Sequence, residues 1–100
     1  MSTAVPDYKL TADARGDLFD IADYTTLTFG VAQSLIYRDS LIEAFETLAA
    51  HPRAGVSLDH IKPGARRLTH ESHAIYYRAK ADHVLILRIL HQSQDPMRHL

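Results

Sequence analysis

The chain has no cysteine among its 100 residues. That excludes disulfide scaffolds, thiolate nucleophiles and Cys-ligated zinc or iron–sulfur centres. No apolar run approaches the ~20 residues that a membrane-spanning helix needs, so no membrane association is expected. The opening MSTAVPDYKL has neither a basic start nor an apolar stretch, so no secretory signal is read there and a cytoplasmic protein is expected. Neither G-x-x-x-x-G-K-[ST] nor G-x-G-x-x-G occurs, which leaves nucleotide binding unsupported. There is no nucleophile elbow around a serine. His70 and His73 lack the His-x-x-x-His spacing of a helical metal site. Residues three apart on one strand point to opposite faces, and a turn lies between these two. No metal and no cofactor is expected.

What is present suits one folded domain over 1–100. The apolar fraction is 46%, ordinary for a chain with a core. Net charge is −1, which argues against a simple nucleic-acid coat. The total hides a split: residues 1–50 carry eight acids and three bases, residues 51–100 four acids and eight bases. All seven histidines fall in the second half. Either the acids line solvated helix faces, or the basic half meets an acidic partner.

Tyr8–Thr11 reads as a first strand, starting near Val5 at the earliest; Pro6 cannot donate to a ladder, so the strand begins late or lies at an edge. Thr11 suits an N-cap, and Ala14, Leu18, Ile21, Ala22 and Thr25 recur at helical spacing. Thr25, Thr26 and Thr28 are β-branched and should fray that helix. Phe29-Gly30 marks a corner. A second helix follows to about Ala50, its apolar positions being Val31, Leu35, Ile42, Phe45 and Ala49, widened by Ile36, Leu41 and Leu48. Pro52 stops it. Arg53–Gly64 reads as an exposed connection. Arg66–Glu71, His73–Lys80 and the apolar run His83–Leu90 read as strands joined by tight turns, an antiparallel meander. The expected fold is α+β, in the order β-α-α-β-β-β, with an antiparallel sheet packed against an N-terminal helical hairpin.

A longer pattern runs through these elements. It comprises Tyr8-Lys9-Leu10-Thr11 into Ala14, Asp17-Leu18, Ile21, Tyr24-Thr25, Phe29-Gly30, Gln33, Tyr37, Leu41, Phe45 and Leu48. It continues with Pro52, Gly55, Ile61, Gly64 and Arg66-Arg67. Its most specific part is Ser72-His73-x-Ile75-x-Tyr77-Arg78, then Ile89-Leu90-His91, Asp95 and Arg98-His99-Leu100. In this order and spacing the chain resembles ParE-type toxins of the RelE/ParE superfamily, the toxin halves of bacterial toxin–antitoxin pairs. The resemblance implies the same β-α-α-β-β-β fold. It implies a non-enzymatic toxin that inhibits DNA gyrase by binding it, and a ParD-like antitoxin that wraps the toxin and alone contacts operator DNA. Two alternatives stand beside it: a RelE-like ribosome-dependent mRNA endoribonuclease, and a non-toxic regulator that only binds antitoxin.

The nuclease needs basic groups to activate a 2′-hydroxyl and an aromatic to stack a base. Lys62, Arg66, Arg67, Arg78, Arg88, His91, Tyr76 and Tyr77 are candidates. Yet the loop before Arg66 holds one lysine, and Gln92–Leu100 has no tyrosine. As partner-binding residues the sequence offers Arg66, Arg67, Arg78, Arg88, His91, Asp95 and Arg98. Arg88 alternates with Val84, Ile86 and Leu90, which places all four on one face. Its head either reaches water or a carboxylate, or joins Arg66 or Arg67 and Arg78 on an open basic sheet face. His91, Asp95, Arg98 and His99 either bind a target or lock the tail locally, with Leu100 returning to the core.

Overall fold

Thr11 governs how the chain enters its first helix. Its backbone is extended, its Oγ1 accepts the Ala14 N–H at 3.0 Å, and the same hydroxyl donates to the Leu87 carbonyl at 2.8 Å. One side chain caps a helix and ties it to the last strand. The computed structural model describes residues 7–100, and the expected strand start near Val5 lies outside the described residues.

The elements are β1 (Tyr8–Leu10), α1 (Ala12–Phe29), α2 (Val31–Ala50), β2 (Val56–Ser57), β3 (Ala65–His70), β4 (His73–Ala79), β5 (Val84–His91) and a short α3 (Pro96–His99). The sheet order is β1-β5-β4-β3-β2. The α+β arrangement is the expected one, with two additions. β1 runs parallel to β5, Tyr8 opposite Val84, so the sheet is mixed. The connection after α2 contributes the two-residue β2, antiparallel to β3.

α1 does not fray at its threonines. Thr25 is buried, and its hydroxyl donates to the Ile21 carbonyl at 2.7 Å inside the helix. The helix runs on to Phe29 and stops at Gly30, whose φ of +92° lies where only glycine sits without strain. α2 then returns antiparallel and ends one residue before His51-Pro52.

The helical hairpin covers one sheet face. Ala14, Leu41, Phe45 and Leu48 pack there against Ile75, Tyr77, Val84, Ile86 and Ile89. A second cluster forms on the opposite face, where Leu58, Ala65, Ala74, Tyr76 and Leu90 meet Ile61, Leu87 and Leu100. Both faces of β4 are therefore buried, and the 57–64 loop and the C-terminal tail form the outer layer.

The face assignment along β5 differs from strict alternation. Tyr77 pairs with Ile86 and Tyr76 with Arg88, so Leu87 is an extra residue in β5. This bulge flips the parity. Val84 and Ile86 face the hairpin, whereas Arg88 and Leu90 share the other face with Tyr76 and Ala74.

Gly55 packs where no side chain fits. The buried Tyr77 hydroxyl accepts the Gly55 N–H at 2.8 Å and donates to the Pro52 carbonyl at 2.7 Å. A Cβ on Gly55 would stand 2.6 Å from the Tyr77 Oη and 2.8 Å from the Arg67 carbonyl oxygen. Gly55→Ala is expected to lower unfolding free energy by about 1–3 kcal/mol, the usual range for overpacking. A urea titration reads this as a lower midpoint at unchanged slope.

Candidate functional site

The helical hairpin is where this surface departs from an ordinary one. Phe19, Tyr24, Leu27, Phe29, Val31, Leu35 and Ile36 are all exposed, Leu27 at 88%. Tyr24 and Phe29 line a cleft toward the sheet, with Ser72, His73, Arg88 and His91. Sequence periodicity assigned Val31, Leu35 and Ile36 to the buried side of α2; they are exposed in its first two turns. Along the seam between α1 and α2 runs a groove of about 270 Å³. Leu18, Phe19, Ile21 and Ala22 line it from α1, and Ser34 and Leu41 from α2. The Ser34 hydroxyl donates to the Ala22 carbonyl across the seam at 3.2 Å. Arg15 and Arg38 stand among the lining residues, so an apolar floor carries positive charge beside it. Contiguous exposed apolar surface of this kind marks a partner site.

The basic residues singled out in the sequence do not form one open face. Arg67, Arg78 and Arg88 lie on the face of the second cluster, and all are half-buried. Arg88 is committed internally. Its Nε and Nη2 donate to the two oxygens of Asp17 at 2.9 and 2.8 Å, and Asp17 Oδ2 also accepts the Ile89 N–H at 2.9 Å. The hydrogen bond with Asp17 holds Arg88 above its ordinary pKa, outweighing the opposing effect of burial. Asp17 thus satisfies the edge of β5 beyond the end of β1. The reading of Arg88 as an arginine reaching a carboxylate is the one the geometry follows. Arg66 and Arg78 donate instead to the carbonyls of Gly55 and Pro63, each at 2.7 Å.

The tail folds back on itself. Asp95 Oδ1 accepts the Met97 N–H at 2.9 Å and caps α3. Leu100 packs against the second cluster, and its carbonyl accepts from Lys62 Nζ at 3.1 Å. Arg98 is exposed. His91 also holds the tail by its side chain: its Nδ1 accepts the Ser93 N–H at 3.1 Å and lies 2.8 Å from Ser93 Oγ. His99 joins through its carbonyl, facing Arg88 Nη1 at 3.4 Å.

His91 completes a row that the sequence did not disclose. The hairpin register puts His70 opposite His73, and His73 opposite His91. The turn between His70 and His73 reverses the chain, so these two share a face rather than opposing one another. Tyr37 of α2 lies over the row, its hydroxyl 2.6 Å from His73 Nδ1, and Ser40 Oγ is 2.9 Å from His70 Nε2. The His73 and His91 rings meet edge to face at 5.7 Å. Among the described residues no three His, Cys, Asp or Glu side chains are placed to hold a metal ion.

Burial lowers the His73 pKa from its ordinary 6.5, and the charges of His91 and His70 lower it further. A base with a depressed folded pKa makes the unfolded chain bind more protons in that window. Its contribution to stability is full above about pH 6.5 and is lost as pH falls from there through the folded value. Urea midpoints measured across this range should therefore drop on acidification, and His73→Asn should flatten the drop.

With this geometry in hand, the comparisons with known proteins are direct. A family model described as the ParE toxin of type II toxin-antitoxin system, parDE, matches residues 8–96. Toxin ParE1 of Caulobacter vibrioides is 37% identical over 93 residues, covering 93% of this chain and 96% of that protein. Toxin ParE1 of Mycobacterium tuberculosis is also 37% identical, over 94 residues with the same coverages. Toxin ParE of Escherichia coli is 32% identical over 94 residues, covering 93% of this chain and 91% of that protein. Among solved structures, a chain of the chromosomal ParDE system from P. aeruginosa superposes with a TM-score of 0.75 at 26% identity, over 89% of this chain and 98% of its own. A chain of the RelBE2 toxin–antitoxin complex from M. tuberculosis shares the fold, with a TM-score of 0.64 at 23% identity, over 86% of this chain and 96% of its own. By fold, by sequence and over nearly its whole length, the chain belongs to the ParE toxin family of type II toxin–antitoxin systems.

Proposed function

We propose that this ParE-family toxin is neutralised by a ParD-like antitoxin that lays an amphipathic helix along the α1–α2 groove, and that it acts by binding DNA gyrase rather than by catalysis. The observation that carries the antitoxin part is the exposed apolar hairpin surface beside the groove, in a chain whose relatives are named toxins and whose structural neighbours come from toxin–antitoxin systems. A helix with apolar residues at i, i+3, i+4 and i+7 fits the floor, and acids beside that stripe meet Arg15 and Arg38. The antitoxin, not this chain, contacts operator DNA.

The non-catalytic reading is supported by where the aromatic candidates sit. Tyr76 and Tyr77 are 3% and 0% exposed, so neither can stack on a base. Arg88, a candidate for charge stabilisation, is paired with Asp17.

Induction of the chain without antitoxin separates the readings. The expected result is growth arrest with trapped gyrase–DNA cleavage complexes. Codon-positioned mRNA cuts without any effect on gyrase would replace this reading with the endoribonuclease. Absence of arrest would leave an antitoxin-binding regulator.

A further inference from the structure

A second surface lies at the far end of α2. Beyond the last helical turn a cleft of about 880 Å³ opens between the 51–54 and 63–64 segments and the ends of β3 and β4. Its polar lining consists of His51, Arg53, Arg66 and Arg78, and among the described residues no carboxylate lines it. Asp59, an acid of the same loop, is turned to the Gly64 N–H at 2.8 Å. Ala50, Pro52, Ala54, Pro63 and Gly64 supply a small, apolar remainder.

Two of the three arginines are fixed before any ligand arrives. Arg66 Nη1 is held by the Gly55 carbonyl and Arg78 Nη2 by the Pro63 carbonyl. Neither bond neutralises charge, because the acceptors are backbone oxygens. Each guanidinium keeps further N–H donors beyond the one used. His51 and Arg53 are exposed. Asp59 lies within coulombic reach of Arg66 but outside the lining. A cluster of arginines with preset guanidinium groups and no carboxylate in the lining favours an anion, and an arginine fork matches a carboxylate in geometry.

We infer that this cleft is a docking site for an acidic segment of a protein partner, its aspartate or glutamate carboxylates received by His51, Arg53, Arg66 and Arg78. A peptide suits it better than nucleic acid, because the lining holds no tyrosine, tryptophan or phenylalanine to stack on a base. The cleft is roughly 20 Å along α2 from the centre of the hairpin groove, taking 1.5 Å per residue from Arg38 to His51. The inference therefore does not depend on which partner fills the groove or on gyrase being the target, and both surfaces can be occupied together.

The test uses the purified full-length chain and a short fluorescent peptide rich in Asp and Glu, followed by anisotropy. Binding is expected at low salt and should weaken steeply as salt is raised. Arg53→Glu combined with His51→Glu, both at exposed positions, should reduce affinity at least about tenfold without shifting the thermal midpoint. Lys9→Glu on exposed β1, the same change of charge as Arg53→Glu alone, should leave it unchanged. An equal loss with Lys9→Glu would reduce the effect to net charge and overturn the site. Unchanged affinity in the double variant would do the same. A single-stranded oligonucleotide of equal charge that binds more tightly than the peptide, with the same sensitivity, would overturn the peptide in favour of nucleic acid.

Discussion

Asp17→Ala is expected to lower unfolding free energy by about 2–4 kcal/mol, the effect of stranding a half-buried arginine, discounted for the water that still reaches it. The carboxylate accepts three hydrogen bonds: two from Arg88 in a fork and one from the Ile89 N–H. Side-chain exposure is 11% for Asp17 and 21% for Arg88. Removing Asp17 leaves a guanidinium with only the 3.4 Å contact to the His99 carbonyl and opens an unpaired N–H on the β5 edge. For a domain of this size each kcal/mol moves Tm by roughly 4–8 °C, so a fall of about 8–32 °C should be seen. Asp17→Asn keeps an acceptor but sets an amide against the guanidinium, and should fall between the two. In a double-mutant cycle, Asp17→Ala with Arg88→Ala should destabilise by less than the sum of the single changes. Strict additivity would mean that the pair is not coupled. The same variants should weaken any activity that depends on how α1 sits on the sheet, because the interaction links the first turns of α1 to the strand leading into the tail.

This pair also shows what could and could not be read in advance. Arg88 stands out in an apolar run, and a carboxylate partner was one of its two expected fates. The identity of that partner, 71 residues earlier, depends on β1 pairing parallel with β5 and then stopping, so that α1 passes the open edge. Nothing local in Tyr8–Leu10 encodes a partner strand. Leu87 inserts an extra residue with no glycine or proline to mark it, so alternation along 84–90 gave Arg88 the wrong face. By contrast, Thr11, Ala14, Leu41, Phe45 and Leu48 were legible, because capping chemistry and burial period are properties of short segments. β2 was missed because two residues between Gly55 and a loop carry no period at all.

The candidate site was legible in part for the same reason. Charge identifies Arg66 and Arg78, but His51 and Arg53 join them only because α2 ends where the loop turns back beside β3 and β4. The histidine row depends on register, which a two-residue turn sets and the residues themselves do not. The hairpin groove was the hardest to place. Periodicity marks Val31, Leu35 and Ile36 as apolar in the right rhythm for burial, and it cannot tell burial in this chain from burial against another. Their exposure in the folded monomer is itself the signal of a partner.

That signal leads to the largest expected effect on binding. Phe19 lines the groove and is 73% exposed, and Leu27 near the hairpin tip is 88% exposed. Neither supports the monomer core, so Phe19→Glu and Leu27→Glu should change stability by no more than about 0.5 kcal/mol. Against an antitoxin helix the result should differ. An aromatic anchor at the centre of an interface is commonly worth 2 kcal/mol or more, and a glutamate placed there adds an unpaired charge to be desolvated. Phe19→Glu should therefore weaken antitoxin binding by at least about 100-fold, close to 2.7 kcal/mol. Leu27→Glu, farther from the groove, should weaken it less. Titration of purified antitoxin against each variant by calorimetry gives the affinities, and circular dichroism melts confirm the fold. In cells, Phe19→Glu should remain toxic while its own antitoxin is co-expressed at a level that neutralises the parent. If both variants bind antitoxin as the parent does, the groove is not the docking surface, and the exposed hairpin must meet something else.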